Sequence, residues 1–202
     1  MRILLSSLLL LLVGCASYPV KNGFSPSAEN PVQNINPYFS DTSKDYVYKA
    51  KIEAFDKTFG GILAVKKIGQ SHHRLAFTTE MGNTLFDFTF RNGTFKVNRI
   101  LKDLDKKLLI NILKRDFLAL ITENPKNIKM FEKGAKMLQN GLILNKKHYY
   151  LLENGRLAQI IRTGNGKVKV AHHFSGINDT SAENIVIEHE NIKLKITLNA
   201  IN

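Results

Sequence analysis

The sequence predicts a mainly β domain with one major inserted helix, an α+β chain. The expected form is a curved antiparallel sheet, or incomplete β-barrel, of about 10–11 strands capped by that amphipathic helix. Three observations predict it. Apolar and polar residues alternate with period two from Tyr46 to the C-terminus. Turn dipeptides such as Asn92-Gly93, Asn154-Gly155 and Asn165-Gly166 punctuate that alternation. The spacing switches once, over residues 101–122, to the three-and-four pattern of a helix.

Residues 1–14 read as a lipoprotein signal peptide and are set aside. Met1-Arg2 is a short positive stretch, and Ile3 to Val13 is an apolar run broken only by Ser6 and Ser7. That run is shorter than the roughly 20 residues a spanning helix needs. It ends Leu12-Val13-Gly14-Cys15, which resembles the lipobox of bacterial lipoproteins. The resemblance implies that the Cys15 thiol is diacylated, that the peptide is cut before it, and that the new amine is acylated. Ala16 in place of an Asp implies export to the outer membrane. The expected location is therefore the bacterial outer membrane, lipid-anchored and facing the periplasm. Acyl chains hold such an anchor at ~0.8 kcal/mol per buried methylene.

Residues 15–45 are expected to be the lipidated Cys and a flexible tether. Four of the five prolines fall there (Pro19, Pro26, Pro31 and Pro37), spaced by Asn, Ser and Thr. Residues 46–202 are expected to form a single domain. Tyr46, Tyr48, Ala50, Ile52 and Ala54 share one strand face, with Lys49, Lys51 and Glu53 on the other. Gly60-Gly61 reads as a turn, and Ile62 to Ile68 as a second strand. Leu75, Phe77, Thr79 and Met81 alternate along a third. Phe86, Phe88 and Phe90 share a face on a fourth, and Thr94 to Asn98 makes a fifth. Seven of the twelve Phe lie between Phe55 and Phe95, so one face of this meander is aromatic.

Leu101, Leu104, Leu108 and Ile112, with Leu109, Leu113, Phe117 and Leu120, set a broad apolar helical stripe for that face. Pro125 follows its end. Residues 126–139 suit a short helix or a strand. On a helix, Lys126, Lys129, Lys133 and Lys136 align as one basic stripe. A second meander follows, with strand-like runs from Leu142 to Leu198 and Asn140-Gly141 read as one of its turns.

Composition excludes several classes. There are 29 Lys+Arg against 17 Asp+Glu, and losing Arg2 with the signal peptide leaves 28 against 17, a mature charge of +11. The single Cys rules out a disulfide framework and Cys-rich metal sites. His72-His73, His172-His173, His148 and His189 show no ligand spacing, and Ser71 beside His72 is no triad. No P-loop or nucleophile elbow occurs. The expectation is no enzymatic activity, no cofactor and no metal. An exported chain is not expected to meet nucleic acid, and a monomer is expected. The basic stretch points instead to anionic lipid headgroups.

The lipobox, the Phe-rich meander and the inserted helix together resemble the LolA/LolB lipoprotein-localisation superfamily. That resemblance implies an incomplete barrel whose hollow, closed by a helical lid, shelters acyl chains. The matching residues are Phe77, Phe86, Phe88, Phe90 and Phe95 on strands, with Leu104, Leu108, Ile112 and Phe117 on the lid. It also implies a projecting hairpin with an apolar membrane-facing tip, here Met81 in Thr79 to Asn83. The implied function is to bind acyl chains and assist lipoprotein or lipid placement in the outer membrane. The alternative is a structural or assembly lipoprotein that binds a protein partner and has no ligand cavity.

Overall fold

The computed structural model describes residues 16–201; the signal peptide and Cys15 lie outside the described residues. After a one-turn helix α1 (Tyr18–Lys21) come β1 (Ser25–Pro26), β2 (Asp45–Ala54), β3 (Lys57–Gly69), β4 (His72–Thr78), β5 (Thr84–Arg91) and β6 (Thr94–Ile100). Helix α2 (Lys107–Ile121) follows. Then come β7 (Met130–Lys133), β8 (Lys136–Ile143), β9 (Lys146–Glu153), β10 (Arg156–Gly164), β11 (Lys167–Asn178), β12 (Ser181–His189) and β13 (Leu194–Ala200).

All thirteen strands form one sheet in the order β1-β7-β8-β9-β10-β11-β12-β13-β2-β3-β4-β5-β6. Every pairing is antiparallel. The two meanders join where β13 meets β2, with Ile196 opposite Ile52 and Leu198 opposite Ala50. The sheet does not close: β6 and β1 are its edges, and α2 runs from the β6 side to the β7 side. Thirteen strands at about 4.8 Å would span about 58 Å if flat, whereas a helix is about 10–12 Å across. One buried cluster nevertheless unites α2 with residues from both halves, from Phe86 and Phe88 to Ile160 and Ile185. The sheet therefore curls around its helix.

The helix is shorter than its sequence pattern. Leu101 to Lys106 form turns, so Leu104 is buried from a loop and not from the helix. Lys106 at the N-cap makes no side-chain capping bond, whereas Thr122 at the other end donates its hydroxyl to the Leu118 carbonyl at 2.6 Å.

Residues 16–44 are not a free tether. Tyr18 and Phe24 cover a small apolar cluster on the outer face, around Tyr149 and Leu151. Ser25 and Pro26 pair with β7. Farther on, Ile35, Tyr38 and Phe39 are buried in the main core. The Tyr38 hydroxyl donates to the Leu157 carbonyl, and its ring lies 4.4 Å from that of Phe174. Asn36 donates through Nδ2 to the Leu120 and Thr122 carbonyls at 2.8 and 3.2 Å, satisfying the free carbonyls of the α2 C-terminus. Three large apolar side chains outweigh the loop-like composition around them.

The basic stripe does not exist as a helical feature. Residues 130–143 form the β7–β8 hairpin, in which Lys133 and Lys136 face each other across the turn. Lys133 donates to the Asn22 carbonyl and Lys136 pairs with Glu153. Two dipeptides expected to turn the chain, Gly60-Gly61 and Asn140-Gly141, also sit in strands. Gly61 lies in β3, where a Cβ would stand 1.9 Å from the Thr78 carbonyl oxygen. Gly141 lies in β8, where a Cβ would meet the Pro125 ring at 2.3 Å. Both glycines permit close approach and do not turn the chain. The turns fall instead at Phe55-Asp56 and at Leu144-Asn145, with Phe55, Leu144 and Asn145 at positive φ.

Replacing Tyr38 with Ala is expected to cost about 3–5 kcal/mol, the loss typical of a large buried aromatic. Denaturant unfolding measures it; a loss under about 0.5 kcal/mol is what a free tether would give.

Candidate functional site

The side chains expected to line an acyl hollow are brought together, but as a packed core. Phe77, Phe86, Phe88 and Phe90 are buried, with Phe86 and Phe88 stacked at 4.3 Å and Phe117 of α2 5.7 Å from Phe86. Ile112 is buried with them. Leu108 is not: it points outward from the first turn of α2 and is 61% exposed. Met81, in the β4–β5 turn, is 91% exposed.

The accessible space lies beside the helix. A groove of about 670 Å³ opens where the C-terminal half of α2 faces the β3–β4 and β5–β6 turns. Its apolar walls are Phe90, Phe95, Leu118 and Ile121, and Lys67, Arg91, Lys114 and Lys126 stand around it. The volume falls in the range of ligand sites. Lys67 is held by Glu123 at 2.7 Å. Lys114 Nζ sits 5.3 Å from the centre of the Phe95 ring, a cation over a π face. His73 closes the inner wall, its Nε2 3.1 Å from the Phe39 carbonyl oxygen, and burial lowers its pKa. Of the four lysines expected on a stripe, only Lys126 reaches this groove. Lys129 lines a separate surface depression with Pro26 and Pro31.

A polar cluster beneath the helix was not expected. Asp116 occupies the apolar stripe, four residues after Ile112 and three after Leu113, and is buried. Its Oδ2 lies 2.8 Å from His189 Nε2. His172, buried, places its ring nitrogens 3.3 and 3.2 Å from the Ile160 and Asp116 carbonyl oxygens. These contacts bolt the middle of α2 to β10, β11 and β12. Among the described residues no group of three His, Cys, Asp or Glu side chains is arranged to hold a metal. An acidic residue on an apolar helical stripe was the available signal.

No family model and no curated protein matches the sequence. Several solved chains match the fold. Among them is the crystal structure of the LolA superfamily protein NE2245 from Nitrosomonas europaea, with 10% sequence identity and a TM-score of 0.43, covering 83% of this chain and 89% of that one.

Burial pushes the His148 ring down to a pKa of about 4, from an ordinary 6.5. Above pH 6.5 neither folded nor unfolded chain carries that proton, and the full stability is present. Between 6.5 and 4 the unfolded chain binds a proton that the folded chain refuses, so stability falls with pH, by roughly 3 kcal/mol in all. Urea midpoints between pH 7 and 4 are expected to drop, and to drop less steeply in His148→Leu. Equal slopes would remove His148 as a source of the pH dependence.

Proposed function

We propose that the protein is a membrane-anchored lipoprotein that takes an acyl chain in the groove beside α2 and assists the placement of lipoproteins or lipids in the outer membrane. The groove carries this reading: four apolar side chains form a trough that a methylene chain can follow, and cations at its rim suit an acidic headgroup. The deeper aromatic face is covered by α2. A chain that goes beyond the groove therefore displaces the helix, whose N-terminal turn is uncapped and whose C-terminus is held by Asn36.

Anchoring is proposed through the Cys15 acyl chains, and the fold supports one orientation. Neighbouring strands are antiparallel, so turns alternate between two ends of the sheet. The β2–β3, β4–β5, β8–β9 and β10–β11 turns and the start of α2 share one end. That end carries the exposed Phe55, Met81, Leu101, Leu108 and Leu144. Ala16, next in sequence to Cys15, has its carbonyl beside Gly166 in the β10–β11 turn. Lys102, Lys106, Lys107, Lys146 and Lys147 are exposed there too. An apolar rim with interspersed cations suits a bilayer interface, and it leaves the groove, at the other end, open to the periplasm.

A second reading, an assembly lipoprotein that binds a protein partner, is favoured by the filled interior beneath α2. Titration with a fluorescent fatty acid separates the two. Saturable binding is expected, weakened about tenfold (~1.4 kcal/mol) by Phe95→Asp and by Leu118→Asp in proteins that melt normally, and unchanged by Leu108→Asp. A folded chain that binds no probe would leave the partner-binding reading. Intact-mass analysis of the membrane-extracted protein is expected to show acyl chains on Cys15 and none in Cys15→Ser.

A further inference from the structure

A smaller cavity, of about 200 Å³, lies on the other side of α2, between the helix and strands β8–β10. Four basic residues line it: Lys114 and Arg115 from the helix, Lys146 from β9 and Arg162 from β10. The Lys114 ammonium lies over the Phe95 ring, so Arg115, Lys146 and Arg162 carry the charge of this cavity. No carboxylate lines it. Eight lysine and arginine side chains elsewhere pair with carboxylates at 2.5–3.4 Å. Among the described residues, none of these four does. Asp116, whose charge acts on Arg162 from outside the cavity, is turned to His189 at 2.8 Å. Arg162 is half-buried; burial, the larger effect, and the neighbouring Arg115 oppose its charge, and Asp116 offsets them in part. Like charges held together in a partly desolvated hollow repel one another, and an anion between them reverses the sign of that interaction.

The remaining lining fits the same ligand. Asn111 offers an amide from the helix, and His148, neutral because burial depresses its pKa to about 4, adds no further charge. The β8–β9 turn at the mouth places Leu144 at a positive φ of 48°. Leucine adopts that conformation at a cost, and such strain concentrates where a local shape is used. The turn brings Lys146 opposite Ile143 at the cavity edge. Two guanidinium forks and the Lys146 ammonium suit a compact oxyanion of more than one negative oxygen.

We propose that this cavity is a binding site for a phosphate group, free or as the phosphodiester of a lipid headgroup. It lies at the end of the sheet that bears Leu144 and the start of α2, where a headgroup would be met. It is separate from the acyl groove, with which it shares only Lys114.

Calorimetric titration of the purified full chain tests it with three soluble probes: inorganic phosphate, glycerophosphoglycerol and the zwitterionic glycerophosphocholine. One-to-one binding of phosphate or of glycerophosphoglycerol is expected, with glycerophosphocholine at least tenfold weaker. A double variant Arg115→Gln/Lys146→Gln, both exposed positions, is expected to lose at least tenfold. A control of equal charge change, Lys51→Gln/Lys195→Gln, is expected to lose less than twofold. Tighter binding of phosphate assigns the free ion, and equal or tighter binding of the diester assigns the headgroup. Equal losses in the two double variants, or no saturable binding of either anion, overturn the site. Fatty-acid binding is measured on the same proteins; its retention in Arg115→Gln/Lys146→Gln keeps failure here distinct from failure of the acyl-binding reading.

Discussion

The structure depends on one constraint: a single helix of fifteen residues has to supply the inner side of a thirteen-stranded sheet. An antiparallel sheet with one apolar face must bury that face against something. Among the described residues the only large element available is α2, so the sheet curls until both halves touch it. Phe86 and Phe88 meet it from one half, Ile160 and Ile185 from the other. The join between β13 and β2 transmits the curl, because its seven paired positions make two meanders into one surface.

The N-terminal segment completes what the helix leaves open. Ile35, Tyr38 and Phe39 enter the core near the β11–β12 turn, where the Phe39 amide donates to the Thr180 carbonyl at 2.9 Å. Asn36 closes the helix C-terminus in the same stretch. The two ends of the sheet consequently differ. One is plugged by residues 35–39 and carries the groove; the other has exposed apolar turns and the uncapped start of α2. An asymmetric molecule of this kind presents different chemistry at its two ends.

Much of the fold was legible because antiparallel sheets write their period into the chain. The Asn-Gly pairs at 92–93, 154–155 and 165–166 do take positive φ, as type I′ hairpin turns require. Gly60-Gly61 and Asn140-Gly141 misled, because glycine serves close approach as well as turning, and sequence does not distinguish an incoming Thr78 carbonyl or Pro125 ring from a bend. Residues 31–39 were illegible as core because Pro and Asn interrupt any regular spacing of their apolar residues, while Ile35, Tyr38 and Phe39 decide their fate. The four lysines from 126 to 136 fit helical spacing equally well as a hairpin, and the β-pairing of Met130 and Phe131 with Gln139 and Leu138 decided it. Of the candidate site, the aromatic strand face was readable, but its being filled was not: that depends on how deeply Phe117 and Leu113 reach.

The filled interior sets what carriage would demand. Moving α2 outward exposes Leu109, Ile112, Leu113, Phe117 and Leu120 together with the facing phenylalanines. It also breaks the Asp116–His189 and His172 contacts, leaving buried polar groups unpaired. An acyl chain entering behind the helix replaces apolar contacts with apolar contacts, but it offers nothing to Asp116 or His172. Entry through the groove avoids that loss, since the polar bolt faces His172 and His189 on β11 and β12, whereas the groove already exists between Leu118, Ile121 and Phe95. The polar cluster thus limits how far α2 can yield, and it would confine an acyl ligand of modest affinity to the side of the helix where Lys114 and Phe95 stand.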